Sequence, residues 1–312
     1  MANPTFNIDF MGKRFVALGL SIFLVLGSIG LLAVQSLSWG LDFTGGTLVE
    51  VSYPAATDPQ TVRDVLDGAG FENGIVQNFG TDQDILIRMP PQAPTTDGAD
   101  AGLSDSILAA LRDVDSGVEM RAQSFVGPAV GEELTESGGL AMIAALIVVM
   151  LYILVRFTGK FAIGAVVALA HDVLIVLGAF SLLRWTFDLN VLAAILAVIG
   201  YSLNDTIVVS DRIRENFRRQ RKGGPVDVVN RSLNQTLGRT LVTSLTTLLV
   251  LVALLVAGGE GIFGFAVALT IGVVIGTYSS IYVAANILLL LKIDRQDLLV
   301  PEKENADAEL MP

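Results

Sequence analysis

Long apolar runs alternate with polar segments along the chain, and their lengths predict a protein that crosses a membrane repeatedly. A helix needs about 20 mainly apolar residues to cross a bilayer. Six runs meet this requirement, at residues 15–34, 136–155, 161–183, 189–209, 240–257 and 262–291. The pattern predicts a polytopic α-helical membrane protein with six transmembrane helices, and the even number of spans puts both termini on the same side.

Lysine and arginine accumulate on one side of these runs. They lie in the segment 1–14, in the loop with Arg156 and Lys160, in the segment 210–239 and in the tail 292–312. Because cytoplasmic loops of membrane proteins are enriched in lysine and arginine, these segments, with both termini, are expected in the cytoplasm. The segment 35–135 then lies on the outer side; its four basic residues against sixteen acidic ones agree with this orientation.

The outer segment 35–135 has the pattern of a small folded domain between the first and second spans. Residues 47–53 alternate as in a strand, whereas 58–70 has the acid, proline and terminal glycine of a short helix. The remaining elements are strands at 74–79 and 84–89, a helix at 103–114 and a strand at 118–126. This βαββαβ order predicts an α+β domain of the ferredoxin-like, split-βαβ type.

The cytoplasmic segment 210–239 is basic and then amphipathic. Its first part continues the fourth helix and ends at Gly223 and Gly224. Pro225 then begins a second helix, which is expected to lie along the inner membrane surface. The basic residues are expected to contact anionic membrane lipid, and we favour this over a nucleic-acid patch.

Polar residues interrupt two of the apolar runs. Asp205 lies in the fourth run beside Asn204, and His171 and Asp172 lie halfway along the third. An ionised carboxylate near the centre of a bilayer costs at least about 2.5–3.5 kcal/mol. Asp205 is therefore expected to face a protein interior or a wet cavity as a working part of a transporter. His171 could instead form only a hydrogen bond between helices, and Asp172 could be a structural acid.

A third polar group opens the fifth run. Arg239 is followed by hydroxyls that include Thr243 and Thr247, and Arg239 and Thr243 share one face of a helix. Acid, imidazole, guanidinium and hydroxyls together could make a proton relay. Arg239 also lies close enough to the cytoplasmic end to reach the membrane surface, so pairing with a carboxylate is one of two open alternatives.

The composition excludes a soluble globular protein and several kinds of chemistry. Hydrophobic residues make up 52% of the chain and charged residues 16%, with a mean hydropathy of +0.63. The absence of cysteine excludes disulfides and thiolate metal sites. We recognise neither a phosphate-binding loop nor a nucleophile with its base, so the chain is not expected to be an enzyme or to hold a cofactor or metal.

Several motifs spread over nearly the whole chain resemble the SecF family of protein-export membrane subunits. The longest, IGYSLNDTIVVSDRIRENFR at 199–218, is far more specific than a short pattern. The others are GLDFTGGTLVEV at 40–51, HDV at 171–173, QTLGRTLVTSLTTL at 235–248 and GTYSSIYVA at 276–284. The resemblance implies membership of the SecD/SecF family and the resistance-nodulation-division superfamily, whose members couple proton flow to movement of their outer domains.

The resemblance also implies roles for individual residues. Asp205 would be the ion-coupling acid and Arg239 its basic partner, with Thr243 and Thr247 as neighbouring polar groups. His171 and Asp172 match a further family motif, and Asn204 completes the expected relay. Asp42, Gly45 and Gly46 match the segment where the first helix leaves the membrane, and the two glycines there permit a bend.

The function implied by the resemblance is protein export across the bacterial plasma membrane. Together with SecD, such a subunit uses the proton motive force, or sodium in place of the proton, to promote late translocation and release of preproteins. The implied partners are SecD, the SecYEG channel with SecA as its ATPase, YajC or YidC, and the unfolded preprotein. Six spans are half of a twelve-span transporter, so a partner subunit is expected.

Two other functions remain open from the residues. The chain could be a scaffold subunit that conducts no ions, in which case Asp205 and Arg239 form a structural pair. It could also be a small-molecule exporter of the same superfamily, which would need a large aromatic-lined outer pocket. The outer segment is only about a hundred residues long and has few aromatic residues, which disfavours this last function.

Overall fold

The computed structural model describes residues 6–91, 99–157, 159–219 and 223–294. Parts of the predicted segments 1–14 and 210–239, and most of the predicted tail 292–312, lie outside these residues. The helices are α1 (Arg14–Gln35), α2 (Leu41–Thr44), α3 (Pro59–Gly68), α4 (Ala99–Val114), α5 (Pro128–Arg156), α6 (Gly159–Leu183), α7 (Leu189–Arg219), α8 (Pro225–Ala257), α9 (Glu260–Ser279) and α10 (Ala285–Leu290). The strands are β1 (Ser38–Trp39), β2 (Gly46–Ser52), β3 (Ile75–Phe79), β4 (Thr81–Met89), β5 (Glu119–Val126) and β6 (Thr186–Phe187).

Six helical segments in the described part of the chain are long and apolar enough to cross a membrane, as the hydropathy pattern predicts. They are Met11–Gln35, Pro128–Arg156, Gly159–Leu183, Leu189–Arg219, Pro225–Ala257 and Gly261–Leu290. Helices α6 and α7 form the buried centre, whereas α1 and α5 leave most of their apolar side chains exposed. Such exposure is expected of side chains that face lipid.

Close packing between α7 and α9 depends on glycine. A Cβ atom at Gly272 would overlap the side chain of Val198, and one at Gly276 would lie 3.1 Å from the Cβ of Ser202. Small residues of this kind let two membrane helices approach closely. Helix α9 is therefore held against the part of α7 that precedes Asp205.

The segment 225–239 is the first part of the fifth membrane helix, whereas the sequence analysis expected a separate helix there. Helix α8 begins at Pro225 and continues without a break to Ala257, so the amphipathic segment and the fifth span are one helix of 33 residues. Its one glycine is Gly238, where a Cβ atom would lie 3.7 Å from the ring of Phe6. Its buried side chains Val229, Leu233 and Leu237 belong to the same core as those of the other membrane helices.

A strap formed by residues 8–11 crosses the first part of α8. The Asn234 side chain accepts a hydrogen bond from the Ile8 N–H at 2.7 Å and donates one to the Ile8 carbonyl at 2.8 Å. The Asn230 side chain accepts from the Phe10 N–H at 2.9 Å. Two asparagines one helical turn apart thus pair with the strap backbone as a neighbouring strand would.

The sixth span is continuously helical, as predicted, but its helix type changes within it. After α9, a turn of π-helix covers Ser280–Ala284 before α10 begins. Hydropathy does not distinguish α from π geometry, so the pattern could not reveal this change. Single turns of π-helix are frequent at functional sites.

The segment between α1 and α5 folds into a four-stranded antiparallel sheet with the order β3–β4–β2–β5. Helices α3 and α4 cover one face, and the core contains Val49, Ile85, Ile87 and Leu111. Because side chains alternate along a strand, Arg88 belongs to the opposite face from Ile87 and Met89.

A second, two-stranded sheet was not predicted. Strand β1 follows α1 and pairs in parallel with β6, which lies between α6 and α7. Each strand has two residues, too few to show an alternating pattern. The ring of Trp39 packs edge-on against Phe43 and Phe187 at 5.6 and 5.5 Å. This sheet ties the exit of the first span to the entry of the fourth.

Candidate functional site

The carboxylate of Asp172 is the centre of a buried polar cluster between three membrane helices. Asp172 has no exposed surface. Its Oδ2 accepts hydrogen bonds from Ser202 of α7 at 2.5 Å and Ser279 of α9 at 2.7 Å. Its Oδ1 lies 2.9 Å from Nδ1 of His171. Three polar contacts satisfy this acid and join α6, α7 and α9.

His171 lies between this cluster and the first span. Its ring stacks on that of Tyr278 with centroids 6.1 Å apart. Tyr278 in turn donates a hydrogen bond of 2.7 Å to the carbonyl of Ala17 in α1. The Nε2 of His171 is buried and has no hydrogen-bond partner among the described residues. One imidazole nitrogen is thus available beside a satisfied carboxylate.

Asp205 has different surroundings from Asp172. It is 2% exposed, and its Oδ2 is buried without a hydrogen-bond partner in the described part of the chain. Arg239 is the charged group that attracts it. No ion pair within 4.0 Å joins the two side chains among the described residues. The structure therefore brings Asp205 and Arg239 into electrostatic range without direct contact.

The predicted threonines bond to their own helix. Thr243 donates to the carbonyls of Arg239 and Thr240, at 3.1 and 2.9 Å, and Thr247 donates to the carbonyl of Thr243 at 3.0 Å. The hydroxyls of α8 that point inward are different ones. Ser244 lies 2.7 Å from Thr277 of α9, and the Oγ1 of Thr240 is buried and unpartnered within the described residues.

Asn204 and Arg239 lie on the surface of the bundle. Both side chains are exposed, although Asp205 beside Asn204 is buried. The predicted relay residues therefore divide into a buried group, with His171, Asp172 and Asp205, and an exposed group on the faces of α7 and α8. An exposed polar group at membrane depth requires a covering protein surface or a wet cavity.

The predicted exit segment of the first span contacts the start of α7. The Oδ2 of Asp42 accepts a hydrogen bond of 3.0 Å from the backbone N–H of Leu189. Asp188 accepts another, of 2.8 Å, from Val191. Gly45 and Gly46 have φ angles of +66° and +117°, which glycine adopts most readily. A Cβ atom at Gly46 would overlap the Met89 carbonyl.

Arg88 joins this exit segment to the sheet. Its Nη1 donates a hydrogen bond of 2.6 Å to the Trp39 carbonyl. Burial lowers the pKa of its guanidinium, while attraction from Asp188 and Asp42 opposes that effect. Burial raises the pKa of the Asp188 carboxyl; the hydrogen bond from Val191 opposes this shift, and the neighbouring charge of Asp42 adds to it.

The sequence analysis missed several residues of these clusters. Ser279 stands in the motif at 276–284, but a serine inside an apolar run carries no signal for a carboxylate on another helix. Arg88 and Asp188 resemble ordinary surface charges in the sequence. Among the described residues, no group of three or more histidine, cysteine or acidic side chains could hold a metal ion.

Comparison with known proteins identifies two matching families. The family described as "Protein export membrane protein SecD/SecF, C-terminal" matches residues 106–294. The "SecD/SecF GG Motif" matches residues 30–53, which include Gly45 and Gly46. The protein translocase subunit SecF of Vibrio alginolyticus is 50% identical over 98% of this chain and 97% of its own length. The subunit of the same description from Pseudomonas aeruginosa is 47% identical over 96% of both chains.

Solved structures of SecDF share the fold. The crystal structure of SecDF from Thermus thermophilus, a translocon-associated membrane protein, superposes with a TM-score of 0.82 at 35% identity. A SecDF structure in a super-membrane-facing form gives a TM-score of 0.69 at 36% identity. The match covers 94% of this chain but only 40% of each SecDF chain. Together with the sequence matches over nearly its whole length, this shows that the chain belongs to the SecD/SecF family of protein export membrane proteins, as a SecF-type member.

Proposed function

We propose that this chain is a translocase subunit that works with a SecD-type partner in protein export. The pair uses the proton motive force, or a sodium gradient in its place, to promote late translocation and release of preproteins across the bacterial plasma membrane. Support comes from SecF relatives that are 50% and 47% identical over nearly the whole chain and carry the description of protein translocase subunit.

One observation carries the ion-coupling part of this proposal: buried Asp205 has a carboxylate oxygen that accepts no hydrogen bond from the described residues. Buried polar atoms are normally hydrogen-bonded, and an ionised carboxylate at membrane depth is costly unless it is paired. Asp172 is satisfied by three partners. Asp205 is therefore the acid that is better suited to gain and lose a proton.

In the proposed cycle, a proton enters from the outer side, neutralises Asp205 and leaves towards the cytoplasm. Neutralisation removes the attraction between Asp205 and Arg239, which allows α7 and α8 to change their packing. Each charge that crosses the membrane releases about 2.3 kcal/mol per 100 mV of potential. That free energy biases the movement of an outer domain that holds or releases the emerging polypeptide.

A partner subunit accounts for the exposed members of the relay. Asn204 and Arg239 lie on the bundle surface, where contact with hydrocarbon would be unfavourable. We infer that a SecD-type subunit covers this face. The 40% share of the SecDF chain that this chain matches supports the inference, because it leaves room for a second set of spans.

The proposed orientation puts the domain of β2–β5 on the outer side and both termini in the cytoplasm. The distribution of lysine and arginine supports it. The strand order β3–β4–β2–β5 supports the ferredoxin-like assignment of this domain. In this orientation the preprotein emerges from the SecYEG channel, SecA supplies ATP hydrolysis, and YajC or YidC are further candidate partners.

The test is gradient-driven release of a preprotein from vesicles that contain the partner subunit and the channel. Asp205→Asn keeps the size of the side chain and removes its titration. Asp211→Asn is the matched control, because Asp211 lies on the same helix but is exposed and paired with Arg156. We expect the stimulation by the gradient to be lost in Asp205→Asn and kept in Asp211→Asn, with the complex intact in both.

Unchanged gradient dependence in Asp205→Asn would overturn the ion-coupling proposal. In that case the scaffold function gains support, and joint replacement of Asp205 and Arg239 by apolar residues should be tolerated. Separate proton and sodium gradients in the same vesicles identify the coupling ion.

A further inference from the structure

Arg88 is a buried cation at the junction between the outer domain and the membrane helices. It lies on β4 and is 8% exposed. Its neighbours along the strand, Ile87 and Met89, point into the core beneath α3 and α4. Arg88 therefore projects from the uncovered face of the sheet, towards the loops that connect the membrane helices.

The guanidinium of Arg88 contacts both strands of the small β1–β6 sheet. Its Nη1 donates to the Trp39 carbonyl at 2.6 Å, and its Nη2 lies 3.5 Å from Oγ1 of Thr186. The Nε is buried without a hydrogen-bond partner in the described part of the chain. The contact thus joins the domain to the segments that leave α1 and enter α7.

Two acids beside Arg88 bind the first turn of α7. Asp42 accepts a hydrogen bond from the Leu189 N–H, and Asp188 accepts one from the Val191 N–H. Both carboxylates attract Arg88, although neither forms an ion pair with it within 4.0 Å among the described residues. Asp42 and Asp188 therefore interact favourably both with the Arg88 guanidinium and with the positive N-terminal end of the α7 dipole.

A cavity separates other parts of this sheet face from the membrane helices. It has a volume of about 660 Å³, and its lining includes Glu50, Gln77, Trp185, Asn190 and Phe263. The cavity leaves open space between this face of the sheet and the residues that line the other side, among them Trp185 and Phe263. Arg88 lies at the margin of the cavity, where the sheet and the loops are in contact.

We propose that Arg88 is a positioning residue that transmits movement between the outer domain and α7, the helix that carries Asp205. The inference rests on the proposed function of Asp205 in ion coupling. Asp205 lies sixteen residues beyond Leu189 on the same helix, or about 24 Å at 1.5 Å per residue. A shift of the α7 N-terminus reaches Asp205 through a continuous helix.

The experiment compares ion uptake with preprotein release in vesicles that contain the whole complex. Arg88→Met removes the charge and the donors but keeps an apolar side chain of similar length. Arg121→Met is the control, since Arg121 lies on β5 of the same sheet and is exposed. We expect Arg88→Met to keep ion uptake and to lower gradient-driven release at least about fivefold, the lower end of ordinary coupling between sites. Arg121→Met should match the wild type in both.

Equal losses of uptake and release in Arg88→Met would overturn the inference, as would wild-type release. If Arg88→Met does not assemble, Asp188→Asn decides, because asparagine caps a helix as well as aspartate does but removes the charge beside Arg88. Selective loss of release in that variant supports the inference, and unchanged release contradicts it. Asp205→Asn is measured alongside and tests the proposed function separately. If the proposed function is wrong, release in that variant will depend on the gradient as it does in the wild type.

Discussion

The hydroxyl of Ser202 on α7 donates a hydrogen bond of 2.5 Å to the carboxylate of Asp172 on α6. Ser202 lies three residues before Asp205, so the satisfied acid is bonded to the helix that carries the unsatisfied one. The two carboxylates differ in their hydrogen bonds rather than in their burial. Asp172 is therefore expected to stabilise the packing of α6, α7 and α9 through its hydrogen bonds, whereas Asp205 is expected to gain and lose a proton.

Removal of one donor from Asp172 should destabilise the helix bundle. Ser279→Ala deletes one of the three hydrogen-bond partners of a fully buried carboxylate. A loss of about 1–3 kcal/mol in the free energy of unfolding is expected, because the desolvated group is not compensated by water. Thermal unfolding of the purified complex measures it. Ser280→Ala is the control, since among the described residues that hydroxyl donates to the backbone carbonyl of Thr277 and not to Asp172. Equal effects in both variants would contradict the stabilising role of the bond to Asp172.

Lysine should replace Arg239 in function better than glutamine does. Arg239 attracts Asp205 through its charge and forms no ion pair with it within 4.0 Å in the described part of the chain. The planar guanidinium geometry is therefore not required, and a compact ammonium group keeps the charge. Gradient-driven release should persist in Arg239→Lys and be lost in Arg239→Gln. Equal loss in the two variants would mean that function requires the several N–H donors of the guanidinium, for example in a contact with a partner subunit.

Gly46→Ala should destabilise the domain of β2–β5. Gly46 has a φ of +117°, and a Cβ there would overlap the Met89 carbonyl in the adjacent strand. Strained backbone of this kind costs on the order of 1–3 kcal/mol. Gly68→Ala is the matched control, because Gly68 lies in α3 with open space around it, and alanine favours a helix.

Limited proteolysis of the full chain measures both glycine variants. Cleavage within the domain should accelerate in Gly46→Ala and slow or stay constant in Gly68→Ala. Wild-type resistance in Gly46→Ala would show that the β2–β4 pairing can shift to admit the methyl group.

Ionisation of Asp188 should weaken the fold in mildly acidic solution. Burial raises the pKa of this carboxyl above its ordinary value of 3.8. The folded state then holds the proton more tightly than the unfolded state does. Stability is therefore lost as the pH rises through the range between the unfolded and folded pKa values.

The measurement is the midpoint of thermal unfolding between about pH 4 and 6, the range above the ordinary pKa of an aspartate. The wild type should lose stability across this range relative to Asp188→Asn, which cannot ionise but still caps α7. Asp67→Asn, at an exposed position of α3, is the control and should follow the wild type. Parallel curves for the wild type and Asp188→Asn would contradict the prediction.

Local patterns were sufficient to predict most of the secondary structure. The apolar runs predicted the six membrane helices, because each run is about as long as a helix that crosses a bilayer. Residues 47–53 predicted β2 because the alternation of apolar and polar side chains is visible within the strand alone. Pro225 marked the start of α8 correctly, although the pattern did not show that this helix continues into the fifth span.

Long-range contacts were beyond the reach of such patterns. The β1–β6 sheet joins residues nearly 150 positions apart, and each strand is too short to alternate. The partners of Asp172 on α7 and α9 depend on helix packing. Arg88 gives no sign in the sequence that it is buried, because its partner at Trp39 is a backbone carbonyl. Asp205 was recognisable since a carboxylate in an apolar run is costly wherever the helices pack.

The strap of residues 8–11 sets an order of events during biosynthesis. Ile8 leaves the ribosome early, but its partner Asn234 follows 226 residues later. At synthesis rates of about 5–20 residues per second, this interval lasts roughly 11 to 45 s. Throughout that time the backbone N–H and carbonyl groups of Ile8 lack their partner Asn234. The strap can dock only after the first part of α8 has been made, and α1, α5, α6 and α7 already precede that part in the chain.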